Sequence, residues 1–267
     1  MAAVLERAFL RASGRDAVSY LQSMVTNDVE GLAPGAGTYA LLLTPKARVI
    51  ADLEVFRIDD DLVLACPPET VDDVLGTLLR ARFRKQVAIE PAGHALVWGE
   101  ADGALAELET PIGTERLLAS APNGGAASAE AFEVARIEAG IPRYGREFDG
   151  DSMPAEAGLV ERAISFTKGC YPGQEPVARL HYRGRANRGL RGLRFAAPVP
   201  DPGTRVTVDG ADVGRVTSVA DSERFGPIGL AILRREVAEG AAGDAGGCAV
   251  QVVELPFGSA APGSSTQ

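Results

Sequence analysis

The stretch Lys168-Gly169-Cys170-Tyr171-Pro172-Gly173-Gln174-Glu175 holds one of three cysteines in 267 residues. Its residue types could do thiol chemistry. Pro172 pre-sets the first central position of a type II turn, and Gly173 supplies the positive φ of the second. Cys170 therefore precedes a rigid reversal, and Gly169 leaves room for a ligand or backbone to approach. Lys168 is two residues away. Arg179, Arg183, Arg185, Arg188, Arg191 and Arg194 follow, with no acidic residue between Glu175 and Asp201. Positive charge lowers a thiol pKa, and the same arginines could grip carboxylates or phosphates. Three readings of Cys170 stand open: a reactive thiol, a metal ligand, or a small apolar filler. His181, eleven residues on, would permit a Cys–His pair, although spacing alone does not bring the two together and a packing role fits it as well. Cys66 ends one strand pattern and Cys248 starts another, so both read as structural.

Composition narrows the classes. The net charge is −9, with 36 acidic and 27 basic residues and a pI near 4.9. That balance argues against nucleic acid and anionic membranes as general partners. No apolar run approaches the length of a membrane span. Charges at Glu6, Arg7 and Arg11 leave no signal-peptide core at the start, and the expected location is cytoplasmic. There is no C-x-x-C pair and no metal-ligand spacing, so no metal site is expected.

The elements that must position these residues follow from periodicity. Ser13-Gly14-Arg15-Asp16 resembles a capping box before a helical pattern at Ala17, Val18, Tyr20, Leu21, Met24 and Val25. "TYALLLT", "ARVIADLEVFRI" and "LVLAC" predict an antiparallel meander. Thr70 is the expected cap of a helix carrying Asp72 and Asp73 at its start and a stripe from Val71 to Leu79. "QVAIE" and "HALVWG" predict further strands, and "ASAPNGGAASAEA" a loop. "FEVARIEAGIPRYGREF" starts as a helix or strand and breaks at Gly140 and Pro142. Beyond Arg188, "LRGLRF", "RVTVDGADVGRVTSVA", "IGLAIL" and "CAVQVVEL" predict a small β-barrel or sandwich, with a hairpin turn at Asp209-Gly210 and a flexible loop at "EGAAGDAGG". "GSAAPGSSTQ" predicts a disordered tail.

The stretch Lys168–Glu175 resembles the signature of the YgfZ-type folate-binding proteins, relatives of the aminomethyltransferase (T protein) of glycine cleavage. "SGRDAVSYLQSMVTNDVEGLAPGAGTYALLLTPKARVIADLEV", with its Leu-Gln and Thr-Asn-Asp, resembles the opening of that superfamily. "RIEAGIPRYGREF" resembles its Arg-x-Glu-x-Gly stretch. The resemblance implies an α+β fold: aminomethyltransferase-like folate-binding domains over 1–188, a small C-terminal β-barrel over 189–257, and a tail over 258–267. It implies tetrahydrofolate as cofactor and iron–sulfur client proteins as partners, with an accessory role in iron–sulfur protein assembly or repair. Folate-dependent aminomethyl transfer is the alternative, although "PPETVDDV" lacks the Asn-rich segment expected near a transferase's aspartate. The residues implied are Cys170 as the working thiol with Lys168 beside it, Glu138 reading the pterin, and Tyr171, Gly173, Gln174, Glu175 and Arg183 contacting the folate.

Overall fold

The structure, a computed structural model, describes residues 2–122 and 129–258. The predicted small-residue loop lies partly outside these residues, and the predicted tail almost wholly. The chain forms two compact units. The first comprises residues 1–132, 149–154 and 159–184, the second 133–148, 155–158 and 185–267. The second unit thus takes in segments well ahead of the barrel.

In the first unit the chain runs β1 (Ala2–Leu5), β2 (Ala8–Ser13), α1 (Ala17–Gln22), β3 (Gly37–Leu43), β4 (Val49–Ile58) and β5 (Asp61–Cys66). Then come α2 (Val71–Ala81), β6 (Ala88–Pro91), β7 (Ala95–Gly99), β8 (Ala104–Thr110) and β9 (Gly113–Leu118). The strands form two antiparallel sheets, ordered β3-β4-β5-β2-β6 and β1-β7-β9-β8. The meander is present as predicted. Strands β1, β2, β8 and β9 were not expected: β1 is only four residues long, and the other three carry charges that dilute the period-2 signal.

Alternation in β4 sorts its side chains onto two faces. Ala51, Leu53 and Val55 join Leu10, Leu21, Leu62, Leu64, Val74 and Leu78 in one core under α1 and α2. Phe56 turns to the other face, where with Phe9 and Val63 of its own sheet it packs against Leu96, Leu108 and Leu117 of the facing sheet. Each fully buried side chain of this size contributes about 1.5–3 kcal/mol.

Two predicted caps are not made. The predicted box has Ser13 as cap, but the helix begins at Ala17, and neither Asp16, which holds the N-cap position, nor Thr70 caps its helix with its side chain. Asp16 instead accepts a hydrogen bond from the Gln86 amide at 2.6 Å, and Thr70 donates to the Pro67 carbonyl at 2.9 Å. Tertiary and turn contacts outcompete the local motif.

The second unit is built on β10 (Arg188–Phe195), β11 (Arg205–Val208), β12 (Ala211–Ser222), β13 (Gly226–Arg234), β14 (Ala242–Ala245) and β15 (Cys248–Val253). They close as β10-β13-β12-β11-β14-β15 around Leu193, Val206, Val216, Leu233, Ala245 and Val252. The turn at Asp209-Gly210 joins β11 to β12 as expected. The predicted flexible loop "EGAAGDAGG" contains β14, which pairs with both β11 and β15. Its Gly and Ala residues hide a strand that barrel closure imposes. No helix among the described residues is long and apolar enough to cross a membrane.

Candidate functional site

The remaining helices are α3 (Ala129–Glu138), α4 (Val160–Ala163) and α5 (Gln174–Arg183). Gly173 has φ 84° and ψ 1°, and the Gln174 amide donates to the Tyr171 carbonyl at 3.3 Å. That is the predicted type II turn. A Cβ on Gly173 would lie 2.6 Å from the Thr44 carbonyl oxygen and 3.1 Å from Ala47 Cα. The turn is thus seated on the β3–β4 connection, and only glycine fits. Pro176 sits in the first turn of α5, where its missing N–H is harmless.

Lys168 ties the same stretch to a second motif. Its Nζ donates to the carbonyls of Gln22 (2.5 Å), Val25 (2.6 Å) and Asn27 (2.9 Å). Thr26 Oγ1 donates to the Ala163 carbonyl at 2.6 Å and accepts from the Leu41 amide at 2.8 Å. The Ser165 amide donates to the Thr26 carbonyl at 3.0 Å, and Asn27 Nδ2 donates to the Tyr39 carbonyl at 2.9 Å. Thr26-Asn27 and the approach to the signature are therefore one hydrogen-bonded assembly. Burial lowers the Lys168 ammonium to about 8, with Asp28 and Glu30 pulling it up. All three ammonium protons are engaged by backbone oxygens, so Lys168 acts as a staple of the loop. The sequence expectation for Lys168 is a positive charge that lowers the Cys170 thiol pKa; the structure adds these three carbonyl contacts.

Cys170 is the exposed cysteine; Cys66 and Cys248 are buried. Burial pushes the Cys66 thiol up to about 11. A Cβ built on Gly169 would meet nothing within 4 Å, so the space beside Cys170 is open. Tyr171 is buried and its hydroxyl has no hydrogen-bond partner among the described residues; burial pushes that hydroxyl up to about 12. Lys168 Nζ lies 5.5 Å from the Tyr171 ring centre. Gln174 and Glu175 open α5, and Glu175 pairs with Arg179 at 2.8 Å on the surface, where such a pair contributes little. Arg183 is exposed in the last turn. His181 is exposed and stacks on Phe166, ring centres 4.4 Å apart, which accounts for it as a packing residue.

Glu138 belongs to the second unit. Its Oε1 accepts from the Ser222 hydroxyl at 2.5 Å, and Oε2 faces Arg224 at 3.4 Å. Two residues earlier, Arg136 is buried and donates to Glu133 (2.6 Å), Ser218 (2.7 Å) and Glu147 (3.3 Å). A Cβ on Gly140 would lie 2.7 Å from the Leu255 Cβ. The Arg-x-Glu-x-Gly stretch thus has Arg136 as buried anchor and Gly140 as close approach.

Sequence reasoning missed a buried charge cluster in the first unit. Arg7 donates to Asp52 Oδ2 at 2.9 Å and to Glu54 Oε1 at 2.5 Å. The Tyr39 hydroxyl donates to Asp52 at 3.2 Å, and the Arg162 guanidinium lies 4.9 Å from the Tyr39 ring centre. Asp52 Oδ1, Glu54 Oε2, Glu115 Oε2 and Arg162 Nη1 are buried without hydrogen-bond partners among the described residues. Burial raises Glu54 and lifts Glu115 to about 8, helped by the Glu54 charge and opposed by Arg7 and Arg162. Burial alone would lower Arg7, but Asp52 and Glu54 more than offset it and hold it charged. The available signal was two acidic residues at alternate positions of an otherwise apolar strand, "VIADLEVF".

Two domain families match the chain: the GCVT N-terminal domain over residues 7–96 and the CAF17 C-terminal beta-barrel domain over 187–256. The human protein "Iron-sulfur cluster assembly factor IBA57, mitochondrial" is 28% identical, across 88% of this chain and 77% of its own length. An uncharacterized protein of Haemophilus influenzae is 31% identical over 68% of each chain. The "tRNA-modifying protein YgfZ" of Klebsiella pneumoniae is 28% identical over 79% of this chain and 76% of its own. Among solved structures, glycine cleavage system aminomethyltransferase T from Bartonella henselae superposes with TM-score 0.79 at 18% identity, covering 96% of this chain and 86% of that one. That last likeness is one of fold.

Proposed function

Because this chain belongs to the YgfZ-type family of the aminomethyltransferase superfamily, we propose that it supports the assembly or repair of iron–sulfur proteins, binding tetrahydrofolate and using Cys170 as its working thiol. The observation that carries the reading is that the exposed cysteine sits in a loop fixed on both sides. Lys168 staples it to residues 22–27, and Gly173 seats it on Thr44 and Ala47. A thiol held on a rigid loop beside open space is built to be reached.

Taken one by one, the residues proposed for the folate carry suitable groups. A carboxylate pair of oxygens offers about four lone-pair positions, and Glu138 uses one on Ser222 and one on Arg224. It keeps acceptors for the amino-pyrimidinone edge of a pterin. Arg183, exposed and without a carboxylate partner among the described residues, is proposed to meet a glutamate carboxylate, and Tyr171, Gly173, Gln174 and Glu175 are the loop residues proposed to contact the ligand. Lys168 positions the loop and touches neither folate nor client. One cysteine cannot hold a cluster alone in the usual four-ligand way, so an iron–sulfur cluster is here a client's cargo.

The test is activity of an iron–sulfur enzyme in cells lacking this protein, rescued by wild type, Cys170→Ser or Glu138→Gln at matched protein levels. Loss of rescue by Cys170→Ser supports the thiol. Full rescue removes it. Tetrahydrofolate titration of the purified chain supplies the second readout: Glu138→Gln keeps an acceptor for Ser222 but loses the charge, and weaker binding is expected. Steady turnover on an aminomethyl-lipoyl carrier would overturn the accessory role in favour of a transferase.

A further inference from the structure

We infer that the barrel carries a phosphate-binding pocket of its own, formed by Arg188, Arg234, Arg235 and Asn187, and that its ligand is a small phosphomonoester. The pocket has a volume of about 510 Å³ and is lined by these four residues with Glu236. Arg188 and Arg234 are directly opposite each other on β10 and β13. Like charges at such a position repel, since their Cβ atoms are only about 4.5–5.5 Å apart. The Arg235 amide donates to the Asn187 carbonyl at 2.9 Å, which holds the backbones of these two lining residues together.

Of the barrel's other arginines, Arg191, Arg194 and Arg215 have no carboxylate partner among the described residues, and two do. Arg205 pairs with Asp212 at 3.1 Å and Arg224 with Glu138 at 3.4 Å. In the pocket, Glu236 lies 4.0 Å from Arg234, and among the described residues Arg188 and Arg235 have no carboxylate partner. The pocket keeps two uncompensated positive charges in a chain of net charge −9. A carboxylate would satisfy one guanidinium fork. Three forks match the three peripheral oxygens and roughly −2 charge of a phosphomonoester. The pocket is outside the folate and thiol residues, so its fate does not depend on theirs.

The test is calorimetric or phosphorus-NMR titration of the full chain with inorganic phosphate and glycerol phosphate, at constant ionic strength set with chloride. Saturable binding of one equivalent is expected with a dissociation constant of about 0.1–1 mM. The Arg188→Ala/Arg235→Ala double variant is expected to weaken it at least about tenfold, and Arg235→Lys to weaken it less, because charge is kept and the fork is lost. Arg205→Ala, a surface arginine outside the pocket, should leave it unchanged. Circular dichroism of each variant checks folding, and Arg235→Gln alone serves if the double variant fails to fold. No saturation by about 10 mM phosphate, or affinity unchanged by the pocket variants, overturns the inference. A short single-stranded RNA that displaces phosphate from the pocket with a steep salt dependence would also overturn it, since the ligand would then be a polyanion and not a small phosphomonoester.

Discussion

The Lys168 ammonium donates to the Asn27 carbonyl at 2.9 Å, across 141 residues of chain. With its bonds to Gln22 and Val25, this one side chain closes the turn after α1 and anchors the loop that presents Cys170. Replacing it by Met keeps the apolar stem and leaves three carbonyls short of a donor. Loss of about 2–3 kcal/mol is expected, at the upper range for bonds from a charged donor. Urea unfolding measures it, and a loss below about 0.5 kcal/mol would show that water takes over the staple.

Cys170 should be the cysteine that reagents reach. Iodoacetamide on the native chain is expected to add one label, at Cys170, and three after denaturation, because Cys66 and Cys248 are buried and burial keeps the Cys66 thiol protonated. Peptide mapping by mass spectrometry reads the sites. Cys170→Ser should leave the melting temperature within about 2 °C, as expected for an exposed position.

Gly173 carries the strain argument. With φ at 84° and a virtual Cβ 2.6 Å from the Thr44 oxygen, Gly173→Ala must both adopt left-handed backbone and move the β3–β4 turn. A loss of about 2–4 kcal/mol is expected. The Lys168→Met/Gly173→Ala double variant should be non-additive, since both changes release the same loop.

The cluster around Glu115 predicts a pH dependence. Its folded value, about 8, stands above the ordinary 4.5, so the folded chain binds more protons than the unfolded chain between those values. Stability therefore falls as pH rises from about 4.5 to about 8, by at most about 1.4 kcal/mol per unit, and levels off above. Glu54, raised in the same direction, adds to the slope; the groups facing Glu115 are Glu54, Arg7, Arg162 and Asp52. Glu115→Gln should flatten the urea-midpoint profile over this window. A wild-type profile already flat from pH 5 to 8 would contradict the protonated carboxyl.

Much of this protein is local chemistry that residue types announce. Pro172-Gly173 dictates its turn because one ring sets φ and one missing Cβ permits the next. The meander β3-β4-β5 follows from period-2 alternation, the Asp209-Gly210 hairpin from two residues tolerant of positive φ, and the family from the Lys168–Glu175 and Thr26-Asn27-Asp28 motifs. What needed the tertiary structure is the choice of partner. Asp16 has the composition of a helix cap, yet bonds the Gln86 amide. Lys168 has the composition of a thiol activator, yet its protons go to carbonyls 141 to 146 residues away. The Asp52, Glu54 and Glu115 carboxylates share one buried cluster although they come from two strands of different sheets, and β14 is a strand because the barrel closes on it. In each case a polar group removed from water takes the partner that packing brings to it, and that partner is distant in sequence.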